Sequence, residues 1–298
     1  MGTSASSKGP GGGVPMVPPW VPELPSASVS PAVPSEVGPI SDEGDANSEP
    51  SVSVSGPNPQ QPLVQPGPRL SPIAPPARFG AARRNFSDFA RNGDPSAMRR
   101  GLKHYVRTGY GGGGTAVNRF GGTASTAGTI YGALSNASNG QPASPGSPLD
   151  PVLLAGRSAR EIIDAVVEAV RPADGTQDAE AERASTKDAL SELLTIFPDA
   201  DLLNLSEEQR VLATERFVAI DVYRRVQLDL GKTIQDKAPT AAAGLARLKE
   251  VKDYVKETVA AAFRKLRAGG TIITSGRVNQ VVRAALSETF EVFEGYLL

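Results

Sequence analysis

The chain has 298 residues, a net charge of −1, one histidine and no cysteine. Without cysteine it can form no disulfide, no thiolate nucleophile, no iron–sulfur cluster and no cysteine-ligated zinc site. A single histidine also excludes any site that needs two imidazoles. We therefore expect no metal centre and no cofactor.

The charges are strongly segregated along the chain. Residues 1–77 carry 2 basic and 6 acidic groups, and residues 150–298 carry 20 basic and 24 acidic groups. Residues 78–120 carry 9 basic and 2 acidic groups, whereas residues 121–149 carry none. The block 78–120 is therefore the part of the chain that favours an anionic partner.

Residues 1–77 have the composition of a disordered arm. They hold 18 of the 26 prolines, and proline is incompatible with helix interiors and central strands. Such a segment cannot bury enough apolar surface to offset the entropy lost on ordering, so we expect a mixed coil and polyproline tether. Its single tryptophan, Trp20, is either exposed without a role or an anchor for a partner's pocket.

The arm shows no targeting segment. Proline and glycine interrupt every apolar stretch in the first thirty residues, which predicts that no secretory signal is present. No stretch of the chain approaches the roughly 20 apolar residues that a membrane span needs. We therefore expect a cytoplasmic protein.

Residues 78–149 are predicted to form a basic helical block, a glycine-rich stretch and a linker. Asp94 followed by Pro95 predicts a capped helix start, and Gly109 predicts a left-handed helix end. A helix of small residues is expected near 123–134, and 139–148 reads as a linker. The apolar positions predicted to face the core are Phe79, Ala82, Phe86, Phe89, Met98, Leu102, Tyr105 and Val106.

Residues 150–298 are predicted to be an all-α domain, because their apolar residues follow the helical period. Ser206 and Gln209 form a capping-box pattern that opens a long helix. Leu245 is among the apolar positions assigned to the core. The expected helices cover residues 158–171, 186–196, 206–230, 240–267 and 276–293. With no strand pattern of useful length, the predicted fold class is mainly α.

Two short motifs resemble nucleotide-binding sequences without the required context. Residues 109–114 fit the GxGxxG pattern, but a helix precedes them where the dinucleotide motif needs a strand, so we expect a flexible turn. Gly231, Lys232 and Thr233 resemble the end of a phosphate loop, but Val226 stands where that loop needs glycine. The triplet is instead expected at a helix end, with Gly231 as the cap.

The basic block alternates cations with aromatic side chains, a pattern that suits phosphate contact and base stacking. It equally suits docking on an acidic partner or on the acidic remainder of this protein, and a solvated face remains open. His104, within the block, is expected to be a surface or packing residue rather than catalytic. The candidate contact residues are Arg83, Arg84, Arg99, Arg100, Lys103, Arg107 and Arg119, and the aromatic residues are Phe86, Phe89, Tyr105, Tyr110 and Phe120.

The amino terminus is the second candidate site. Removal of Met1 is expected because Gly2 is small, and it would leave a free α-amine on the arm. Gly2 and Ser6 also fit the N-myristoylation pattern, which would make the chain a lipid-anchored scaffold. An ordinary processed start is the third possibility.

Three segments together resemble the QatB family of the four-component Qat anti-phage systems of bacteria. They are residues 1–22, with a Gly-Thr-Ser start and a Pro-Pro-Trp segment, residues 99–134, with a glycine-rich block after the basic helix, and "KDALSELL" at 187–194. The resemblance implies that the chain works beside an ATPase, a QueC-like enzyme of 7-deazaguanine chemistry and a TatD-like nuclease.

The resemblance also implies a role for the arm. QueC-like enzymes in related defence systems are thought to attach a deazaguanine base to the N-terminal glycine of a partner, so the implied acceptor is Gly2. Thr3, Ser4 and Trp20 would belong to the recognised arm. The function expected is a non-enzymatic anti-phage component that docks partners. The alternative is a nucleic-acid-binding adaptor whose basic block delivers a nuclease.

Overall fold

A computed structural model describes residues 77–144 and 146–295. The predicted arm, apart from Ala77, lies outside this range, and so do Gly2, Thr3, Ser4 and Trp20. The described residues form helices and no strand, which confirms the mainly α fold class. The helices are α1 Gly80–Asn92, α2 Pro95–His104, a π-helical turn Tyr105–Tyr110, α3 Gly113–Arg119, α4 Gly121–Ser138, α5 Pro151–Leu154, α6 Ala159–Val170, α7 Gln177–Ile196, α8 Glu207–Lys237, α9 Ala241–Ala268 and α10 Val278–Glu294.

Several helix starts follow from local side-chain chemistry. The Asp94 side chain accepts hydrogen bonds from the backbone N–H groups of Ser96 and Ala97, with Pro95 in the first helical position. Ser206 and Gln209 form the predicted capping box at the start of α8. These caps satisfy amide groups that have no partner inside their own helix.

The helix that begins at Pro95 does not end at Gly109, as the sequence predicted. It continues through the π-helical turn, and Gly111, with φ 83°, provides the left-handed end. Gly109 serves packing instead, because a Cβ there would lie 2.4 Å from the Phe79 ring. The expected flexible turn is therefore a packed junction between two helices.

The end of α8 also differs from the prediction. The helix runs on to Lys237, so Gly231 lies buried in its interior and is not a cap. A Cβ on Gly231 would stand 3.8 Å from Leu248 of α9. The face of α9 that packs here includes Gly244 and Leu248, which leaves Leu245 exposed where the sequence assigned it to the core.

The long helices α8 and α9 form an antiparallel hairpin joined by a short connection. Arg267, near the end of α9, lies 3.6 Å from Glu215, near the start of α8. Helix α7, whose start at Gln177 precedes the predicted one, packs against α8, and its Glu192 pairs with Lys256 of α9 at 2.7 Å. The predicted small-residue helix is α4, which contacts α6, α7, α8 and α10.

One buried core joins residues 78–149 to residues 150–298, which the sequence analysis treats as separate segments. Phe120 links them, because its ring centroid lies 5.1 Å from that of Phe290 and 5.7 Å from that of Tyr110. Within the described residues, none of the helices combines the length and apolar character needed to cross a membrane.

Two glycine substitutions in helices are predicted to change the free energy of unfolding in opposite directions. A Cβ on Gly101 would lie 2.7 Å from the buried Phe86 ring, whereas a Cβ on Gly132 of α4 would meet no atom within 4 Å. We expect Gly101→Ala to lower the free energy of unfolding by about 1–3 kcal/mol through overpacking.

The matched control, Gly132→Ala, should raise the free energy of unfolding by about 0.5–1 kcal/mol, because alanine loses less entropy in a helix. Urea unfolding followed by circular dichroism measures both changes. A stabilised Gly101→Ala protein would contradict the described contact between α1 and α2.

Candidate functional site

A polar pocket of about 270 Å³ lies where the π-helical turn and α3 meet the start of α7 and the middle of α8. Its wall contains three guanidinium groups and two carboxylates. We call it the arginine pocket. Its lining residues are Arg78, Tyr110, Arg119, Gln177, Asp178, Arg225, Leu228 and Asp229.

Asp229 and Tyr110 line the arginine pocket, and the buried Tyr105 contacts Asp229 from the core. The Tyr105 hydroxyl donates to an Asp229 carboxylate oxygen at 2.9 Å, and the Tyr110 hydroxyl donates to the same oxygen at 3.4 Å. Burial raises the pKa of Asp229, although these hydrogen bonds and the nearby cations Arg78 and Arg83 oppose the rise. Burial also raises the pKa of Tyr105 well above its ordinary value.

Arg225, one helical turn before Asp229 on α8, also lines the pocket and bridges three acidic side chains. Its guanidinium nitrogens lie 3.6 Å from Asp178, 3.3 Å from Glu182 and 3.5 Å from Asp221. The same guanidinium stands 5.1 Å from the centre of the Phe120 ring, within cation–π range. Arg225 thus ties α7 and α8 to the aromatic core.

Arg225 and its three acidic partners form what we call the Arg225 network. Asp221 and Glu182 extend this network into the core towards α4. Asp221 is fully buried and accepts hydrogen bonds from Thr123 at 2.6 Å and Ser185 at 3.3 Å. Glu182 accepts one from Thr126 at 2.9 Å. Burial raises the pKa of both carboxyl groups, while Arg225 acts in the opposite direction.

This network was not predicted from the sequence, although α8 carries a signal for it. Asp221, Arg225 and Asp229 follow one another at intervals of four residues, which places them on one side of the helix. Asp221 also interrupts an apolar run from Phe217 to Val222. An acidic residue inside such a run indicates a buried, paired charge. Glu182 offers no comparable signal in its own segment.

The predicted contact cations do not form one surface. Arg119 lies at the arginine pocket, and Arg83 is close enough to Asp229 to lower its pKa. Arg100 forms an ion pair with Asp94 at 3.6 Å and donates a hydrogen bond to the side chain of Asn85. Arg84, Lys103 and Arg107 are close enough to His104 to lower its pKa. Arg99 lies exposed on α2.

The aromatic residues of the basic block are not available for base stacking. Phe86, Phe89, Tyr105 and Phe120 are buried in the core, and Tyr110 is half-buried against Tyr105 and Phe120. Their spacing reflects helix packing rather than a nucleic-acid surface. A stacking platform is therefore excluded for these residues in the described fold.

The buried network predicts a large difference between two neighbouring arginines of α8. Arg225→Met would leave Asp221 buried without its cation and would remove one of the two arginines that pair with Glu182, the other being Arg171 at 2.9 Å. We therefore expect a loss of about 3–5 kcal/mol in the free energy of unfolding. The matched control is Arg224→Met, because Arg224 pairs with the half-exposed Asp188 and should cost less than about 1 kcal/mol. Chemical unfolding of both variants gives the comparison. Equal losses would show that Arg225 does not carry the network.

Comparison with known proteins bears on the helices that build this site. A model of the family described as Qat anti-phage system associated protein QatB matches residues 111–293, more than half of the chain. The search of curated proteins found no match, and neither did the search of solved structures. The matched residues contain α3 to α9 and most of α10, including the Arg225 network. The chain belongs to the QatB family and is thereby a component of Qat anti-phage defence.

Proposed function

We propose that this protein is a non-catalytic, cytoplasmic component of a Qat system that docks another Qat component through the arginine pocket and presents Gly2 for modification. The observation that carries the docking proposal is the position of Arg119. This side chain is exposed at the pocket and makes no ion pair within the part of the chain that the structure describes.

The proposal that the protein is non-catalytic rests on the contacts of the carboxyl groups whose pKa values are raised. Perturbed pKa values mark candidate catalytic groups, but structural ion-pair networks perturb them too. Asp221 and Glu182 are bound by side chains of α4, α7 and α8, and Asp229 by two tyrosines. These contacts favour a structural role over proton transfer to a substrate.

The occupant that best fits the arginine pocket is an acidic segment of another Qat component. Arg225 is already neutralised by three carboxylates. Arg78 lies 3.9 Å from Asp229, a long ion pair, so its guanidinium can accept a second partner. Together with Arg119 it offers two planar groups that bind carboxylates in a bidentate manner. The ATPase, the QueC-like enzyme and the TatD-like nuclease are the proposed partners.

Modification of Gly2 is supported by the sequence and by the resemblance of residues 1–22 to the QatB family. Gly2 is the first residue left after removal of the initiator methionine, and the segment that follows is rich in glycine, serine and proline. A QueC-like partner needs an unblocked N-terminal glycine as acceptor. Thr3, Ser4 and Trp20 are the residues we propose for recognition by that partner.

Charge reversal at the arginine pocket tests the docking proposal. Arg119→Glu should reduce co-purification with the other Qat components by at least about tenfold, because two like charges then face each other across the interface. Arg160→Glu is the matched control, since Arg160 is an exposed arginine on α6 away from the pocket. Equal co-purification of both variants would disprove docking at this pocket.

Mass spectrometry of the N-terminal peptide, after co-expression with the three other Qat components, tests whether Gly2 is modified. We expect an added mass on Gly2 that disappears when the QueC-like enzyme is omitted. Gly2→Ala should retain methionine removal, because alanine is also small, and it tests whether glycine is required. An unmodified Gly2 during active defence would contradict the proposal without affecting the docking test.

A further inference from the structure

A second group of cations lies outside the residues that the family model matches. It contains Arg84 of α1, Lys103 and His104 at the end of α2, and Arg107 of the π-helical turn. Arg84 and Arg107 are exposed, and Lys103 and His104 are half-buried. We call these four residues the cationic patch. Lys103 and Arg107 are one helical turn apart, and all three full cations act on the imidazole of His104.

The two acidic residues of α1 and its connection to α2 pair with arginines outside the cationic patch. Asp88 pairs with Arg91 at 3.4 Å, and Asp94 pairs with Arg100 at 3.6 Å. Across the described residues, Arg84 and Arg107 have no ion-pair partner. The charges of Arg84 and Arg107 are therefore open to an external anion.

The charges of the cationic patch affect the pKa of His104. Its pKa is lowered first by burial and then by Lys103, Arg84 and Arg107, which are the charged groups that face it. Its buried Nδ1 has no hydrogen-bond partner in the described structure. An anion at this place would relieve the repulsion between the three cations and the protonated imidazole.

From this geometry we propose that the cationic patch binds the phosphate backbone of nucleic acid without reading its sequence. This surface is independent of the arginine pocket and uses different side chains. Arg84 and Arg107 supply two guanidinium groups, which suit phosphate oxygens. Phosphate contacts position a protein on nucleic acid but carry no sequence information directly.

The surroundings of the cationic patch favour nucleic acid over an acidic protein. Protein interfaces are built around apolar and aromatic side chains with few charges at the centre. The large apolar residues beside the patch, Phe86, Leu102, Tyr105 and Val106, are buried in the core. The exposed side chains of the patch itself are the cations Arg84 and Arg107, and positive charge is typical of protein–DNA interfaces.

The test measures binding of the full chain to a fluorescein-labelled DNA duplex by anisotropy over a range of salt concentrations. Arg84→Glu with Arg107→Glu should weaken binding at low salt at least about tenfold. The slope of log affinity against log salt should flatten by roughly 2, the change expected for two lost phosphate contacts. Arg160→Glu with Arg277→Glu changes the net charge equally at exposed arginines elsewhere and should leave most of the affinity.

The pH dependence of DNA binding provides a second test, through His104. Phosphate binding raises the His104 pKa, so the wild-type protein should bind DNA more tightly at about pH 5.5 than at about pH 7.5, on either side of the ordinary histidine value. His104→Gln should remove most of this difference while leaving binding at about pH 7.5 within a few-fold of wild type.

Three outcomes would overturn the proposal. The first is the absence of DNA binding at low salt. The second is an equal loss of affinity in the patch variant and the control variant. The third is binding of polyglutamate, but not DNA, in a manner abolished by Arg84→Glu with Arg107→Glu, which would identify the patch as an acidic-protein surface.

Discussion

The positive charge of Arg225 allows three acidic side chains to meet between α7 and α8, two of them beside α4. Asp221 and Glu182 are buried almost completely, and a buried carboxylate without a cation is strongly destabilising. Small side chains on α4 make the arrangement possible, because a Cβ on Gly122 would come within 3.0 Å of Glu182. The position of α4 thus depends on both charge and size.

This network also fixes the arginine pocket. Asp221, Arg225 and Asp229 lie on one side of α8, so the charges that hold α4 and α7 continue directly into the pocket wall. Asp229 in turn binds Tyr105 and Tyr110, which belong to the π-helical turn. The turn therefore connects the pocket with the end of α2, where the cationic patch lies. A π-helical turn of this kind is often found at functional sites.

The sequence predicted the elements whose signals are local. Asp94 with Pro95 and Ser206 with Gln209 marked helix starts correctly, because capping depends on residues a few positions apart. Gly109 and Gly231 were assigned wrongly as helix ends, because their role depends on Phe79 and Leu248, which are distant in sequence. Glycine in a helix can mark an end or a close contact, and only the neighbouring element distinguishes the two.

The same limit explains the candidate sites. The excess of cations in residues 78–120 was visible in the composition, but its division between the arginine pocket and the cationic patch depends on how α1, α2 and α3 pack. The alternating aromatic residues suggested base stacking, yet alternation cannot distinguish a stacking surface from a buried helix face. The Arg225 network joins residues from α4, α7 and α8, so apart from the spacing on α8 no single segment indicates it.

The two cationic surfaces differ in how their charge is balanced, and this difference has a physical consequence. Arg78 and Arg119 stand beside Asp178 and Asp229. An incoming anion must contact the two arginines while it avoids the two carboxylates that repel it, and this requirement favours selective recognition. Arg84, Lys103 and Arg107 have no acidic group facing His104 among the charges that act on it. Binding there depends on counterion release and should weaken steeply with salt. One protein could thus hold a specific protein partner firmly while it exchanges nucleic acid rapidly, and ionic strength would separate the two interactions.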